Sequence, residues 1–327
     1  MIITRTPFRI SFAGGGSDLA AFYSQEPGAV LSVAIDKYMY LTVNERFGNT
    51  FRVSYSQTEI CERASEIQHP IVRECLAILG MNRGLEIVSI ADLPAQSGMG
   101  SSSSFTVGLL GALHALRGHI MSANQLAREA CEIEIGRLHE PIGKQDQYIA
   151  AYGGLQLIRF LPDGNVFVDP VICPGAVKRE FNRRLTLFFA GGARDARQVL
   201  ANQNAKTNSN LPALRRLCAI ACEMRDVLTC GRDLNSFGAL LNEAWQVKKT
   251  LEETISNDFI EDLYARAMDA GALGGKLLGA GSGGFLLFFC EPHNQDRLRG
   301  ALSELEEVPF CFDPQGMKVI YVGEDHW

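Results

Sequence analysis

The first half of the chain alternates short apolar runs with polar turns, a pattern that predicts β-strands packed against a few helices. The predicted strands are rich in β-branched and aromatic residues and are bounded by turn-forming residues. They are Phe8–Phe12, Val30–Ile35, Tyr38–Val43, Phe51–Tyr55, Leu85–Ile90 and Leu155–Phe160.

Apolar residues at helical spacing predict helices between these strands. Over 102–116 they recur every three or four positions, at Phe105, Leu109, Ala112, Leu113 and Leu116. Ser122 and Gln125 have the spacing of a capping box, so a second helix is expected to run from there to about Leu138. A shorter helix is predicted over Pro70–Leu79.

The second half of the chain begins with an apolar strand, Leu185–Phe189, and is then mostly helical. Its predicted helices are Pro212–Cys230, Leu234–Leu251, Asp258–Ala270 and a segment near Gln295–Leu305. Two further strands are predicted at Phe285–Cys290 and Lys318–Val322. This succession predicts an α+β protein of two domains, 1–183 and 184–327, with a boundary near residue 183.

Composition narrows the class of protein. A chain of 327 residues with 46% hydrophobic and 21% charged residues is typical of a globular protein, and its net charge of −6 argues against a nucleic-acid binder. The longest apolar run, Phe285 to Cys290, is too short to span a membrane, and no signal peptide is predicted. Nine cysteines without paired spacing predict reduced thiols and a cytoplasmic location.

Three glycine-rich segments stand far apart in the chain, at 7–18, 94–104 and 277–284. The second follows a predicted strand and leads into a helix. Its glycines allow backbone N–H groups to converge, and a helix N-terminus adds positive partial charge, which suits a phosphate. The candidate phosphate-binding residues are Pro94, Gly98, Met99, Gly100, Ser101, Ser102 and Ser103. The alternative interpretation is a flexible Gly/Ser turn, and no Walker A motif is present.

The third segment contains Gly279, Gly281 and Gly284 at the spacing of a dinucleotide-binding fingerprint. We reject that interpretation because these glycines precede a predicted strand, whereas the fingerprint follows a strand and opens a helix. A tight hairpin turn is the other interpretation of this segment.

The three segments, with Gly143–Gln147 between the second and third, resemble the kinases named for galactokinase, homoserine kinase, mevalonate kinase and phosphomevalonate kinase (the GHMP kinases). The details look most like the branch that phosphorylates heptose 7-phosphate. The resemblance covers essentially the whole chain. It implies a two-domain fold with the active site in the cleft between domains, ATP and Mg²⁺ as cofactors, and a third loop in which Gly281 and Gly283 contact the substrate.

By the same resemblance, Arg9 and Asp146 form the catalytic pair. A sugar hydroxyl has a pKa far above 7, so a nearby carboxylate is needed to take its proton during phosphoryl transfer. A guanidinium beside that carboxylate would keep it ionised. The alternative is an ion pair with only a structural role.

The resemblance also implies a magnesium ligand at Glu134, which precedes Asp146 by the spacing seen in galactokinase-like members. Glu132 competes but is expected on another helix face. A serine hydroxyl, from Ser101 or Ser102, would complete the protein's share of the site, because Mg²⁺ retains several waters.

The predicted substrate-binding residues of the first segment are Gly14, Gly15, Gly16, Ser17 and Asp18. Galactokinase-like relatives have Glu and His where Gly15 and Gly16 stand here, which argues against galactose. For Asp18 a turn-forming role is the alternative. Arg194 and Arg197 resemble a segment of heptose 7-phosphate kinases, and guanidinium groups bind phosphate bidentately. The alternative for them is a charged helix start.

The implied reaction is ATP-dependent phosphorylation of D-glycero-D-manno-heptose 7-phosphate at its anomeric C1 hydroxyl, giving the 1,7-bisphosphate. Its partner is thus a small sugar phosphate, with no nucleic acid or membrane, and the protein would be a monomer or homodimer. A fucokinase-like or other hexose 1-kinase is the alternative within the family. A non-catalytic sugar-binding regulator is the alternative outside it, and a nicotinamide dehydrogenase is disfavoured by the order of the motifs.

Overall fold

The structure is a computed structural model, and it describes residues 1–95, 97–191, 196–231, 233–281 and 283–323. The strands are β1 Ile2–Ala13, β2 Gly28–Glu45, β3 Phe51–Ser54, β4 Thr58–Cys61, β5 Leu85–Ala91, β6 Leu155–Phe160, β7 Val166–Pro170, β8 Leu185–Phe189, β9 Ala272–Leu277, β10 Phe285–Cys290, β11 Glu306–Glu307 and β12 Lys318–Val322. The helices are α1 Ala20–Tyr23, α2 Pro70–Ile78, α3 Ser101–Leu116, α4 Ala123–Cys131, α5 Gln145–Tyr152, α6 Gly175–Arg183, α7 Ala196–Ala205, α8 Leu211–Thr229, α9 Asn235–Lys249, α10 Asp258–Asp269 and α11 Gln295–Ala301.

A large sheet organises the first half of the chain. Within the described ranges, eight strands form it in the order β12-β1-β2-β5-β3-β4, and β6 pairs with both β2 and β7. The last strand, β12, runs antiparallel to β1, with Ile2 opposite Val322. The sheet therefore takes strands from both halves of the chain, and the domain boundary near residue 183 stays a prediction.

The second sheet is smaller and antiparallel. Among the described residues it has four strands in the order β11-β8-β10-β9. Helix α9 packs on it closely, because a Cβ added to Gly274 of β9 would lie 2.0 Å from the carbonyl oxygen of Gly238 in α9. The mixed α and β architecture confirms the predicted fold class.

One long strand replaces two that the sequence predicted. Val30–Ile35 and Tyr38–Val43 are both parts of β2. The polar residues between them lie at a register shift, where Pro7 pairs with Tyr38 and Phe8 pairs with Ile35. The prediction was wrong because a bulge within a strand, like a turn, places polar residues between two apolar runs.

The helix that begins after Ser122 has the predicted start. The Ser122 hydroxyl accepts a hydrogen bond from the backbone N–H of Gln125 at 3.3 Å, and the Gln125 side chain accepts one from the Ser122 N–H at 3.1 Å. The capping box is therefore confirmed. After Cys131 the helix continues with a wider π pitch over Glu132–Arg137, which the sequence did not predict. No helix in the described part of the chain is long and apolar enough to cross a membrane.

Candidate active site

A cavity of about 790 Å³ is lined by residues from both halves of the chain, and we call it the cleft. All three glycine-rich segments contribute to its wall, through residues such as Gly15, Gly98 and Gly279. The further wall residues that matter below are Arg9, Gly16, Asp18, Gly100, Ser101, Ser102, Glu134, Glu140, Gln145, Asp146, Arg197, Lys248, Lys276 and Ala280. The segments that the sequence singled out thus converge on one place.

Arg9 and Asp146 form a bidentate ion pair in the wall of the cleft. The Arg9 Nε donates to Asp146 Oδ1 at 2.7 Å, and Nη2 donates to Oδ2 at 2.8 Å. The remaining Arg9 nitrogen, Nη1, donates to the carbonyl oxygen of Gly98 at 2.6 Å. Since a guanidinium fork is planar, it fixes the plane of the carboxylate. The Asp146 side chain remains 23% exposed, so it is accessible from the cleft.

Asp18 holds the segment that leads into Asp146. Its Oδ2 accepts hydrogen bonds from the backbone N–H of Gln145 at 3.2 Å and from the Gln145 side chain at 3.0 Å. Its Oδ1 accepts one from the Gly16 N–H at 2.9 Å. Burial raises the pKa of Asp18, and the backbone hydrogen bonds oppose that rise. Asp18 therefore lies in the wall of the cleft, and its hydrogen bonds connect the first glycine-rich segment to α5.

Gly14 and Ser17 belong to the first glycine-rich segment but are not among the described residues that line the cleft. Ser17 is fully buried, and its hydroxyl donates to the carbonyl oxygen of Gly14 at 2.7 Å. A Cβ on Gly14 would lie 1.9 Å from the carbonyl oxygen of Ala29. Both residues are closely packed behind the wall of the cleft, and a substrate contact at either one stays a prediction. Gly15 and Gly16 do line the cleft.

Glu134 is the most buried carboxylate of the cleft. Its Oε1 accepts a hydrogen bond from the Ser102 hydroxyl at 2.7 Å. Its Oε2 accepts one from the Ser103 hydroxyl at 2.8 Å and one from the Gln147 side chain at 2.6 Å. Burial raises the pKa of Glu134 to about 7, although these three hydrogen bonds lower it. Of the two serines predicted as candidates for a metal site, Ser102 is the one whose hydroxyl contacts Glu134.

Glu134 is buried because it continues the inward face of α4, on which Ala127 and Ala130 lie at helical spacing from it. Within the turn Glu132–Arg137, both Ile133 and Glu134 face inward. The side chain of Glu132 is 58% exposed, so the competing carboxylate points away from the cleft. Glu132 is thereby excluded as a ligand in this site. π turns are rare and often occur at functional sites.

The second glycine segment forms a loop that ends at the N-terminus of α3. Gly100 precedes the helix with φ of 77°, a backbone conformation that favours glycine. Gly98, Gly100, Ser101 and Ser102 line the cleft, where the first N–H groups of the helix are available to an anion.

Three other predicted phosphate-loop residues have different places. Met99 is fully buried, and its carbonyl oxygen accepts a hydrogen bond from the Arg9 N–H at 3.2 Å. Ser103 is also buried, beside Glu134. Pro94 is exposed and is not among the described residues that line the cleft. Met99 and Ser103 support the loop from behind, and nucleotide contacts at these three residues stay a prediction.

The third glycine segment packs directly on the second. A Cβ on Gly279 would lie 2.4 Å from the Cα of Gly98, and one on Gly284 would lie 2.4 Å from the carbonyl oxygen of Ser97. These glycines are required because two backbones approach each other there. We call this contact the loop interlock.

Within the third segment, Gly279 and Ala280 line the cleft, whereas Gly281 and Gly283 are not among the described lining residues. A Cβ on Gly281 would lie 2.6 Å from the Cα of Ile255. Substrate contacts at Gly281 and Gly283 stay a prediction. The segment connects the antiparallel strands β9 and β10, which excludes a dinucleotide-binding fingerprint.

Sequence reasoning missed two lysines in the wall of the cleft. Lys248 lies on α9, on the same buried face as Phe237, Leu241 and Trp245. Burial and the positive charge of Arg9 lower the pKa of Lys248 to about 8. In the sequence, Lys248 continues the helical spacing of the apolar residues Leu241 and Trp245. This pattern could have predicted that the lysine is buried.

The second lysine, Lys276, lies in β9. Its Nζ donates to the carbonyl oxygens of Ser11 at 2.8 Å and Phe12 at 2.9 Å. Burial, together with the charges of Lys248 and Arg9, lowers the pKa of Lys276 well below its ordinary value. Lys276 therefore attaches the second sheet to the strand that carries Arg9.

Of the two predicted phosphate-binding arginines, the structure describes only Arg197. Arg194 lies outside the described residues. Arg197, at the start of α7, lines the cleft and donates a hydrogen bond to Glu140.

Two domain models of one protein family match this chain, one in each half. Residues 64–154 match the model of the GHMP kinases N terminal domain, and residues 208–307 match that of the GHMP kinases C terminal domain. The chain is 29% identical to a D-glycero-alpha-D-manno-heptose 7-phosphate kinase of Campylobacter jejuni, over 97% of this chain and 98% of the relative. It is 26% identical to a bifunctional fucokinase/GDP-fucose pyrophosphorylase of Arabidopsis thaliana, over 92% of this chain and 31% of the relative.

A solved structure has the same fold. The crystal structure of a D-glycero-D-manno-heptose 1-phosphate kinase from Bacteroides thetaiotaomicron aligns with a TM-score of 0.82. The alignment covers 99% of this chain and all of the other, at 24% identity, which supports the fold. With family domains matched in both halves and the cleft between them formed by the expected motifs, the chain belongs to the GHMP kinases and is an ATP-dependent phosphotransferase.

Proposed function

We propose that this kinase phosphorylates D-glycero-D-manno-heptose 7-phosphate at its anomeric C1 hydroxyl and produces the 1,7-bisphosphate. The observation that carries the proposal is the likeness to the Campylobacter jejuni heptose 7-phosphate kinase along nearly the whole chain. The first loop is compatible with it, because Gly15 and Gly16 place no acidic side chain in the cleft that would repel a phosphorylated sugar.

In the proposed reaction, the C1 oxygen attacks the γ-phosphorus of ATP. A new oxygen–phosphorus bond forms, the bond from the γ-phosphorus to the bridging oxygen breaks, and ADP leaves. The proton of the hydroxyl passes to a carboxylate oxygen of Asp146. Arg9 holds this carboxylate through two hydrogen bonds, and its positive charge also favours the negative charge that develops on the transferring group.

The residues around Glu134 fit a magnesium ion. Mg²⁺ prefers oxygen ligands and binds with one or two carboxylates, retained waters and substrate phosphates. Glu134 Oε1 and the Ser102 hydroxyl are already 2.7 Å apart beside the N-terminus of α3, so they would hold the ion there. The buried charge of an ionised Glu134 would be compensated by a cation. When bound, Mg²⁺ neutralises charge on the phosphates of ATP.

The phosphate already present on the sugar needs a positively charged contact, and Arg194 and Arg197 remain the proposed ones. Arg197 lines the cleft, and its partner there, Glu140, would have to release it to an incoming phosphate. A charge-assisted hydrogen bond contributes about 1.5–3 kcal/mol, which corresponds to about tenfold to a hundredfold in affinity.

A comparison of phosphorylated and unphosphorylated sugars tests the proposal. The purified protein would be given ATP with heptose 7-phosphate, heptose, fucose or mannose, and NMR of the product would locate the new phosphate. We expect kcat/KM for heptose 7-phosphate to exceed that for heptose at least about tenfold, as one charge-assisted contact allows. Equal use of both sugars, or a new phosphate at a position other than C1, would refute the proposed substrate.

A fucokinase-like or other hexose 1-kinase is the second candidate. It is favoured by the likeness to the fucokinase-containing relative over 92% of this chain. The same screen decides between the two, because an enzyme of this second kind would use an unphosphorylated hexose best. A regulator without catalytic activity is disfavoured by the complete Arg9–Asp146 pair.

A further inference from the structure

Two lysines in the wall of the cleft have carbonyl oxygens as their only hydrogen-bond partners within the described residues. Lys248 Nζ donates to the carbonyl oxygen of Gly279, and Lys276 Nζ donates to those of Ser11 and Phe12. An ammonium group has three N–H donors, so at least one donor on each lysine is left. Burying such a cation is costly unless a negative charge compensates it.

The nearest carboxylates are already engaged. Both oxygens of Asp146 accept hydrogen bonds from Arg9. Both oxygens of Asp18 accept hydrogen bonds from Gly16 and Gln145. The cleft therefore holds two buried lysines whose charge is not matched by a direct ion pair with a described carboxylate.

The groups that face Lys248 come from four elements. They are Arg9 on β1, Asp18 after the first loop, Asp146 on α5, and Lys276 on β9. The positive charge of Arg9 acts against an ammonium group on Lys248, and the charge of Lys248 in turn acts against one on Lys276. A dianion placed among these groups would reverse that balance and favour a charged Lys248.

We propose that Lys248 Nζ, with Lys276 beside it, binds a phosphoryl group within the cleft. The proposal rests on the kinase function above and adds to it a binding residue of the second half of the chain. Two sources of the anion share this chemistry: the phosphoryl group that ATP transfers, and the phosphate already carried by the sugar. Because Lys248 lines the same cleft as Arg9, Asp18 and Asp146, either group can reach it.

Three variants test the role of Lys248. Lys248→Met removes the charge and keeps a long apolar side chain, whereas Lys248→Arg keeps the charge at every accessible pH. Lys249→Met is the matched control, because the next residue of the same helix pairs with Glu261 at 2.8 Å and does not line the cleft. All three would be made in the full-length chain.

Sulfate binding provides a test that needs no turnover. Sulfate is a dianion whose charge is constant between pH 7 and pH 9, and its affinity for substrate-free enzyme would be measured by calorimetry at constant ionic strength. At pH 7 we expect Lys248→Met to bind it at least tenfold more weakly than wild type and Lys249→Met to bind it equally well. At pH 9 wild type should weaken by about tenfold because the pKa of Lys248 is about 8, and Lys248→Arg should not.

Kinetics separate the two sources of the anion. If Lys248 binds the sugar's phosphate, Lys248→Met should lose at least tenfold in kcat/KM for heptose 7-phosphate and less than twofold for unphosphorylated heptose. If it binds the transferring group, kcat should fall by the same factor with both sugars. Sulfate affinity and kinetic constants within twofold of wild type in Lys248→Met would overturn the proposal, as would equal losses in Lys249→Met. A wild-type protein that phosphorylates neither sugar would refute the proposed function, and sulfate binding would still decide the role of Lys248.

Discussion

Replacing Glu134 with glutamine should stabilise the metal-free protein at pH 8, although it removes the proposed magnesium ligand. Burial raises the pKa of Glu134 to about 7, from an ordinary value of 4.5. Between those values the folded protein keeps a proton that the unfolded chain has released, so the free energy of unfolding falls as pH rises. The destabilisation is complete above about pH 7 and absent below about pH 4.5.

The size of the effect follows from this shift. At about 1.4 kcal/mol per pKa unit, the ionised Glu134 costs the folded protein about 3 kcal/mol at pH 8 and under about 1 kcal/mol at pH 5. Glutamine has the same shape and no charge. The Gln147 Oε1 has no hydrogen-bond partner within the described residues, so a flip of that amide would pair it with the new Nε2 group. We therefore expect Glu134→Gln to gain about 2–3 kcal/mol at pH 8.

Urea unfolding in EDTA at pH 5 and pH 8 measures this gain, with tryptophan fluorescence as the signal. Glu132→Gln is the matched control, because it removes a charge from the same turn at an exposed position and should change stability little. With ATP present, added Mg²⁺ should stabilise wild type more than Glu134→Gln, and the Mg²⁺ concentration for half-maximal activity should rise in the variant. The reasoning would be refuted if Glu134→Gln were no more stable than wild type at pH 8. It would also be refuted if the gain in the free energy of unfolding were as large at pH 5 as at pH 8.

Three further outcomes are expected. Asp146→Asn should lower kcat at least about 10²-fold with ATP binding nearly intact, and single-turnover rates within a few-fold of wild type would exclude a base role. Gly279→Ala should cost about 1–3 kcal/mol in urea unfolding and raise KM for ATP, because its Cβ would meet Gly98; Gly118→Ala, at a similar φ with open space, should cost less. Arg197→Ala should reduce kcat/KM for heptose 7-phosphate about tenfold and leave heptose unaffected, whereas equal losses with both sugars would place Arg197 outside the phosphate contact.

The sequence predicted the parts of the site that depend on local backbone chemistry. Glycine at turns and the capping box at Ser122 are local signals, and each lies where it was expected. The pair Arg9–Asp146 was expected by resemblance, and the structure brings the two side chains together.

The rest depends on contacts between residues distant in the chain. Lys248 and Lys276 enter the cleft only because α9 packs on β9 and β9 reaches β1. In the third segment the resemblance implied substrate contacts at Gly281 and Gly283. The need for glycine at Gly279 and Gly284 was not predicted, because it arises from the loop interlock with the distant second segment. The π pitch of Glu132–Arg137 also has no sequence signal, because Ala123–Arg137 has an ordinary helical composition.

The position of β12 has a consequence for how the protein folds. This strand and β1, its neighbour in the sheet, both lie outside the matched family domains at 64–154 and 208–307. A ribosome must synthesise the chain past residue 322 before the two strands can pair, and contacts so distant in sequence slow folding. We expect the large sheet to be completed only after the second half of the chain has been synthesised. We also expect the two halves to unfold in one calorimetric transition rather than two.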